Sequence, residues 1–230
     1  MKLIAFNGSP RKKWNTATLL RHAMEGAESE GAKTKLYNLY DLDYRGCTSC
    51  FACKRIGGKS YGHCPVKDDL KPIFREVEKA DALLIGSPIY FGITTGETRS
   101  FLERLMFQYS AYDPERSTLF GRKIRTGFIY TVGATDEMVR KMGFDRNAKG
   151  TEMSMQRIFG SCESFFVTDT CHFDDYAKYV STRSLQVFLQ HPEKYHGFNP
   201  GEKKKHREEQ FPIDCEKAHE FGARLVRSGK

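Results

Sequence analysis

A chain of 230 residues, 39% of them hydrophobic, is long and apolar enough for one α/β domain with extensions, which excludes wholesale disorder. No apolar run approaches the roughly 18 residues of a membrane helix, and the N-terminus runs straight into the strand-like MKLIAFNGS, so a cytoplasmic location without a membrane partner is expected. The formal charge of +8 is densest at Lys203-Lys204-Lys205-His206-Arg207, but Glu208 and Glu209 follow at once and no nucleic-acid motif accompanies it. That run reads as a solvated loop or helix start. The diffuse positive potential suits phosphorylated cofactors rather than nucleic acid.

In chain order, residues 2–7 form an apolar first strand, and residues 16–29 an amphipathic helix with Leu19, Leu20, Ala23 and Ala27 on its buried face. Residues 35–39 make a second strand, and a Cys-rich loop spans 44–66. Asp68 and Asp69 are expected to cap a helix running to about residue 79, with Leu70, Ile73, Phe74 and Val77 at helical spacing. The continuous apolar run 82–87 predicts a third strand buried on both faces. A helix over 96–109, a strand over 125–131, a helix within 138–159 and a strand over 164–168 continue the alternation. Residues 176–211 read as a polar, irregular extended segment that wraps the domain or a partner subunit. Residues 212–230 close the chain, with a helix over 212–228 that turns Ala218, Phe221, Gly222 and Leu225 inward. Alternation of this kind implies an α/β core over 1–175, a doubly wound five-stranded parallel sheet of order 2-1-3-4-5. In that order ligands bind beyond the carboxyl ends of strands one and three.

Two motifs fall at those ends. The first is Asn7-Gly8-Ser9-Pro10-Arg11 followed by Asn15-Thr16-Ala17-Thr18, where the first strand turns into the first helix. Helix starts present unpaired N–H groups and partial positive charge, and Ser9, Arg11, Asn15, Thr16 and Thr18 add donors, so a phosphate could sit there. The glycine spacing fits neither a Walker loop nor a dinucleotide fingerprint, and a plain strand-to-helix turn explains this motif alone equally well. The second motif, Gly86-Ser87-Pro88-Ile89-Tyr90-Phe91-Gly92, ends strand three. Its backbone can hydrogen-bond a flat heteroaromatic ring, with Tyr90 and Phe91 as apolar surface beside it. Together the two motifs favour a ligand site.

The third motif is Cys47-Thr48-Ser49-Cys50-Phe51-Ala52-Cys53, with Cys64 after a ten-residue gap. Four such thiols suit a [4Fe–4S] cluster, tetrahedral zinc, or a free or redox-active thiol set. Cys162, Cys171 and Cys215 are isolated and read as small core hydrophobes. His63 reads as a polar loop residue, and the Asp68–Asp69 pair as capping groups rather than a catalytic dyad.

GSPRKKWNTATLL, the three-cysteine loop, VKDDL and GSPIYFG together resemble the NADPH-dependent FMN reductase and iron–sulfur flavoprotein branch of the flavodoxin-like proteins, over about residues 2–105. The resemblance implies FMN with its phosphate on Ser9, Arg11, Asn15, Thr16, Ala17 and Thr18. It implies the isoalloxazine beside Pro88, Ile89, Tyr90, Phe91 and Gly92, and a third contact at Thr131 and Gly133. It further implies NAD(P)H as co-substrate, electrons passed to a small-molecule or protein acceptor such as a quinone or free flavin, and a homodimer or homotetramer. The family's four-cysteine motif maps to Cys47, Cys50, Cys53 and Cys64, with a longer final gap than its compact version. Trp14 stands where the family often has Gly, and would shield the phosphate or lie at an interface. A flavodoxin-like electron carrier without NAD(P)H activity is the alternative, although the acidic surface usual for such carriers is absent. The flavin carries the redox chemistry, so no protein group is named as catalytic.

Overall fold

In the computed structural model, residues 1–191 and 199–227 are described. Five parallel strands, β1 (Lys2–Asn7), β2 (Lys33–Asn38), β3 (Ala82–Tyr90), β5 (Ile124–Thr131) and β6 (Gly160–Val167), lie in the order β2-β1-β3-β5-β6. This is the expected doubly wound, flavodoxin-like α/β sheet. A two-residue strand, β4 (Ile93–Thr94), folds back antiparallel on the end of β3. Alternation along the central strands divides the core in two. Ile4 and Phe6 of β1, with Leu83 and Ile85 of β3, face the layer built by α2 (Leu70–Val77), α3 (Gly96–Tyr109) and α5 (Phe144–Phe159). Leu3, Ala5, Ala82 and Leu84 face α1 (Asn15–Ser29) and the C-terminal helix. Successive side chains point to opposite faces and both faces are covered, which is why these strands read as unbroken apolar runs.

The expected single helix within 138–159 is two. α4 (Asp136–Met142) ends at Gly143, whose φ of 72° reverses the chain before α5 begins. The larger departure is at the C-terminus. The closing helix does not begin at Pro212; the proline at its first position is Pro200, whose missing N–H costs nothing there. Asn199 caps the start, its side chain accepting from the N–H groups of Gly201 at 2.9 Å and Glu202 at 3.4 Å. The helix, α7, then runs Pro200–Val226 with Pro212 inside it. Residues 176–211 are therefore largely helical where described, comprising a 3₁₀ turn (Tyr176–Lys178), α6 (Thr182–Gln190) and the first turns of α7. Residues 192–198 of that segment and 228–230 of the closing segment lie outside the described residues. Among the described residues no helix is long and apolar enough to cross a membrane.

Candidate functional site

Strand register brings four loops to one sheet edge. Asn7 pairs with Gly86, Pro88 with Thr131 and Thr131 with Val167, so the segments after β1, β3, β5 and β6 emerge together. The loop after β1 is pinned to β3 by Gly8 N–H donating to Gly86 O at 2.8 Å. It curls through two local bonds, Ser9 N–H to Asn7 Oδ1 at 3.1 Å and Arg11 N–H to Ser9 Oγ at 3.2 Å. Below it the hydroxyls of Thr16 and Thr131 share a buried hydrogen bond of 2.8 Å.

Helix α1 begins without a side-chain cap, because Trp14 occupies the cap position and its ring offers no acceptor there. The N–H groups of Asn15, Thr16 and Ala17 have no partner among the described residues, although all three residues are buried. A buried helix start with orphan donors is the chemistry of an oxyanion seat. Two cations flank it. Arg11 stacks over the Trp14 ring at 4.3 Å and donates to His172 O at 2.5 Å. Arg207 of α7 lies 5.4 Å from the same ring and donates to Asn15 Oδ1. The pocket so formed is lined by Ser9, Arg11, Asn15, Thr16, Pro88, Ile89, Tyr90, Thr131 and Gly133. Thr18 lies further along α1, its hydroxyl accepting from Arg21 at 3.2 Å, while Ala17, Phe91 and Gly92 also stand outside the lining.

Residues that sequence reasoning passed over complete this edge. After β6 the chain turns through Asp169, at φ 53°, and lays Thr170, Cys171 and His172 along the pocket. Cys171 O accepts from Trp14 Nε1 and Asn15 Nδ2, each at 2.9 Å. Lys203 of α7, buried, donates to Gly133 O at 2.5 Å and pairs with Asp169. Burial, with Lys203 and Arg11 nearby, lowers the His172 pKa and favours a neutral imidazole. The basic run 203–207 is thus not solvated throughout. Lys203 and Arg207 are spaced i, i+4 on one helix face, a signal readable once the helix starts at Pro200.

The strand-three segment is a tight hairpin. Tyr90 pairs with Ile93, and Phe91 and Gly92 between them have φ of 51° and 86°, as a two-residue type I′ turn requires. Phe91 is held fully exposed in the left-handed region, a conformation that costs a bulky residue energy. Asn147 Nδ2 secures the turn by donating to Gly92 O at 3.1 Å. Buried hydroxyls tie this segment to the loop after β1: Thr95 Oγ1 donates to Gly8 O at 2.8 Å, and Thr95 N–H donates to Ser87 Oγ at 3.2 Å.

Cys47, Cys50, Cys53 and Cys64 line one pocket together with Arg104, Phe107 and Gln108 of α3. Ser49 and Phe51 both have positive φ, 53° and 54°, which folds the loop tightly around it. Among the described residues no three ligating side chains converge as a metal site, so the thiols share a pocket without ligand geometry. Burial pushes the Cys53 thiol up, and the three neighbouring thiols add to this while Lys54 opposes it. His63 is an exposed loop residue whose Nδ1 lies 3.0 Å from Glu78 Oε1. Asp69 does not cap α2 with its side chain; Asp68, half-buried, accepts from Leu70 N–H at 3.2 Å and pairs with buried Arg104.

The chain is similar to several known proteins in sequence and in fold. An iron–sulfur flavoprotein of Methanocaldococcus jannaschii is 35% identical over 104 residues, 45% of this chain and 51% of that protein. One of Archaeoglobus fulgidus is 36% identical over 104 residues, covering 45% and 48%. The chain thus spans about half the length of the curated relatives it matches. In fold it is similar to an NAD(P)H:quinone oxidoreductase from Methanothermobacter marburgensis, with a TM-score of 0.69 at 15% identity over 98% of both chains. It is also similar to an FMN-dependent NADH-azoreductase from Bacillus anthracis in complex with FMN, with a TM-score of 0.62 at 12% identity over 99% and 100%. The family model described as NADPH-dependent FMN reductase matches residues 1–138, and the chain belongs to that family.

Proposed function

We propose that this chain is an FMN-dependent NAD(P)H oxidoreductase that delivers electrons to a quinone, a flavin or another redox acceptor. One observation carries the reading: the uncapped, buried start of α1, flanked by Arg11 and Arg207, opens beside the strand-three hairpin. The N–H groups of Asn15, Thr16 and Ala17, with Ser9, Arg11 and Thr16 side chains, would hold the FMN phosphate. Pro88, Ile89 and Tyr90, with Thr131 and Gly133, would border the ring, and Phe91 and Gly92 its outer edge. FMN, when bound, supplies hydride acceptance and onward electron delivery. The protein's part is to orient the ring against the hairpin, neutralise the phosphate and exclude water with the 169–172 segment. Exposed Tyr90, Phe91 and Ile93 form an apolar tip that we assign to a subunit contact in a homodimer or homotetramer.

The four-cysteine pocket supports a second cofactor. A [4Fe–4S] cluster would be held by Cys47, Cys50, Cys53 and Cys64, the four thiols of a pocket whose buried Arg104 Nε and Gln108 Nε2 have no partner among the described residues. Such a cluster would let two-electron hydride chemistry feed one-electron acceptors. Anaerobic mixing with NADH or NADPH should bleach the bound flavin within turnover time. Bleaching by dithionite but by neither nicotinamide would overturn the oxidoreductase reading and leave an electron carrier. Iron and acid-labile sulfide assays on anaerobically purified protein test the cluster separately.

A further inference from the structure

We propose that Arg104 and Gln108 donate, through Nε and Nε2, to sulfur atoms of the cluster held by Cys47, Cys50, Cys53 and Cys64, and that they raise its reduction potential; this rests on the cluster reading above. The two residues stand i, i+4 on α3, and both line the cysteine pocket. They are 2% and 1% exposed. Every other polar end of each is engaged. Arg104 Nη1 donates to Arg45 O at 3.2 Å, and Nη2 donates to Asp68 Oδ1 at 3.1 Å. Gln108 Oε1 accepts from Cys64 N–H at 3.0 Å, which fixes the orientation of the amide and leaves Nε2 as the remaining end. Arg104 Nε and Gln108 Nε2 are two of the four buried side-chain polar atoms without a partner among the described residues.

Buried donors are normally paired, and two orphans sharing one pocket call for an acceptor that fills it. The rest of the pocket wall is the four thiols with Phe51, Phe107, Pro65, Val66 and Thr48, so the acceptor that fits is the electron-rich sulfur of a ligated cluster. Reduction adds one electron, supplied by dithionite in the test or by reduced flavin in turnover, and breaks no bond. The added negative charge is spread over the sulfurs, and donors aimed at them favour the reduced state. Fixed N–H groups therefore move the potential upward.

The test is a dithionite titration, followed by electron paramagnetic resonance, of the anaerobic full chain carrying FMN and iron. Gln108→Leu and Arg104→Lys each remove one of these donors without changing net charge. Each should shift the cluster equilibrium about tenfold or more toward the oxidised form, which is ~59 mV per tenfold for one electron. Iron content and the flavin potential should stay at the parent values. Variants that keep iron and titrate within threefold of the parent overturn the inference while leaving the cluster reading intact. If a variant loses iron, the parent decides instead: Fe–S vibrational bands that shift in D₂O support the donors, and unmoved bands overturn them. A parent that holds FMN but no iron or sulfide overturns the cluster reading itself, and this inference with it.

Discussion

Arg207 reaches the first loop across 192 residues of sequence, and its guanidinium is sandwiched between the Trp14 and Phe211 rings at 5.4 and 4.1 Å. That stacking holds a planar cation beside the orphan N–H groups of α1 at little further entropic cost. Arg207→Ala should weaken FMN by about 2 kcal/mol, roughly 30-fold in Kd, through loss of one charge-assisted contact. Riboflavin, lacking the phosphate, should bind parent and variant alike; calorimetry with both flavins checks this. Elsewhere Glu76 accepts from Lys35 at 2.8 Å, Tyr37 at 2.8 Å and Lys2 at 3.1 Å, which stitches α2 to β1 and β2. The Lys35 bond foremost, with Tyr37 and Lys2, pulls its carboxyl down from 4.5 to about 2. A depressed carboxylate stabilises the fold above its unfolded pKa, and the contribution fades as pH falls toward the folded value. After allowance for solvent screening, Glu76→Gln should cost about 1 kcal/mol at pH 7. The gap between parent and variant urea midpoints should close from pH 4.5 down to about 2.

At the scale of elements, α1 and α7 approach so closely that only glycine fits at two facing positions. A Cβ on Gly222 would lie 1.7 Å from Ala23 O, and one on Gly26 would lie 1.9 Å from His219 O. Gly222→Ala should therefore cost about 2–3 kcal/mol by forcing the helices apart. Gly150→Ala, at an exposed position of α5 with open space around it, should instead stabilise by about 0.5–1 kcal/mol. Chemical denaturation of the two variants side by side separates packing from propensity. The same contrast explains what was legible in the sequence. Strands covered on both faces, such as Ala82–Tyr90, announce themselves as apolar runs, and α3 is bounded by its own periodicity at Gly96–Tyr109. The start of α7 was hidden because Lys203 and Arg207 look solvated until they are seen to face Asp169 and Asn15. The loop after β1 and the strand-three hairpin proposed for phosphate and ring are local in sequence, whereas the 169–172 segment joins the pocket only through tertiary contacts.

For the molecule as a whole, this means the pocket is assembled from both ends of the chain. The family match ends at residue 138, yet Asp169, His172, Lys203 and Arg207 beyond it close the sheet edge over the first loop. The Lys203–Asp169 pair is the clamp, since Lys203 also holds Gly133 O at 2.5 Å and so joins three segments at one ammonium. Both side chains are buried, and removing one partner of a buried pair strands a charge, typically at a cost of about 3–5 kcal/mol. Lys203→Met should destabilise by that amount and should loosen FMN through the displaced 169–172 segment. Adding Asp169→Asn should recover most of the stability, because asparagine is neutral and tolerates the φ of 53° that position 169 requires. FMN at a hundredfold excess over its Kd should raise the parent by about 2.7 kcal/mol and the single variant by less at the same FMN concentration, since binding to the folded state alone sets the gain. Denaturation with and without FMN measures both effects. A single variant that unfolds within 1 kcal/mol of the parent, or gains as much from FMN, would show that the C-terminal helix does not clamp the site.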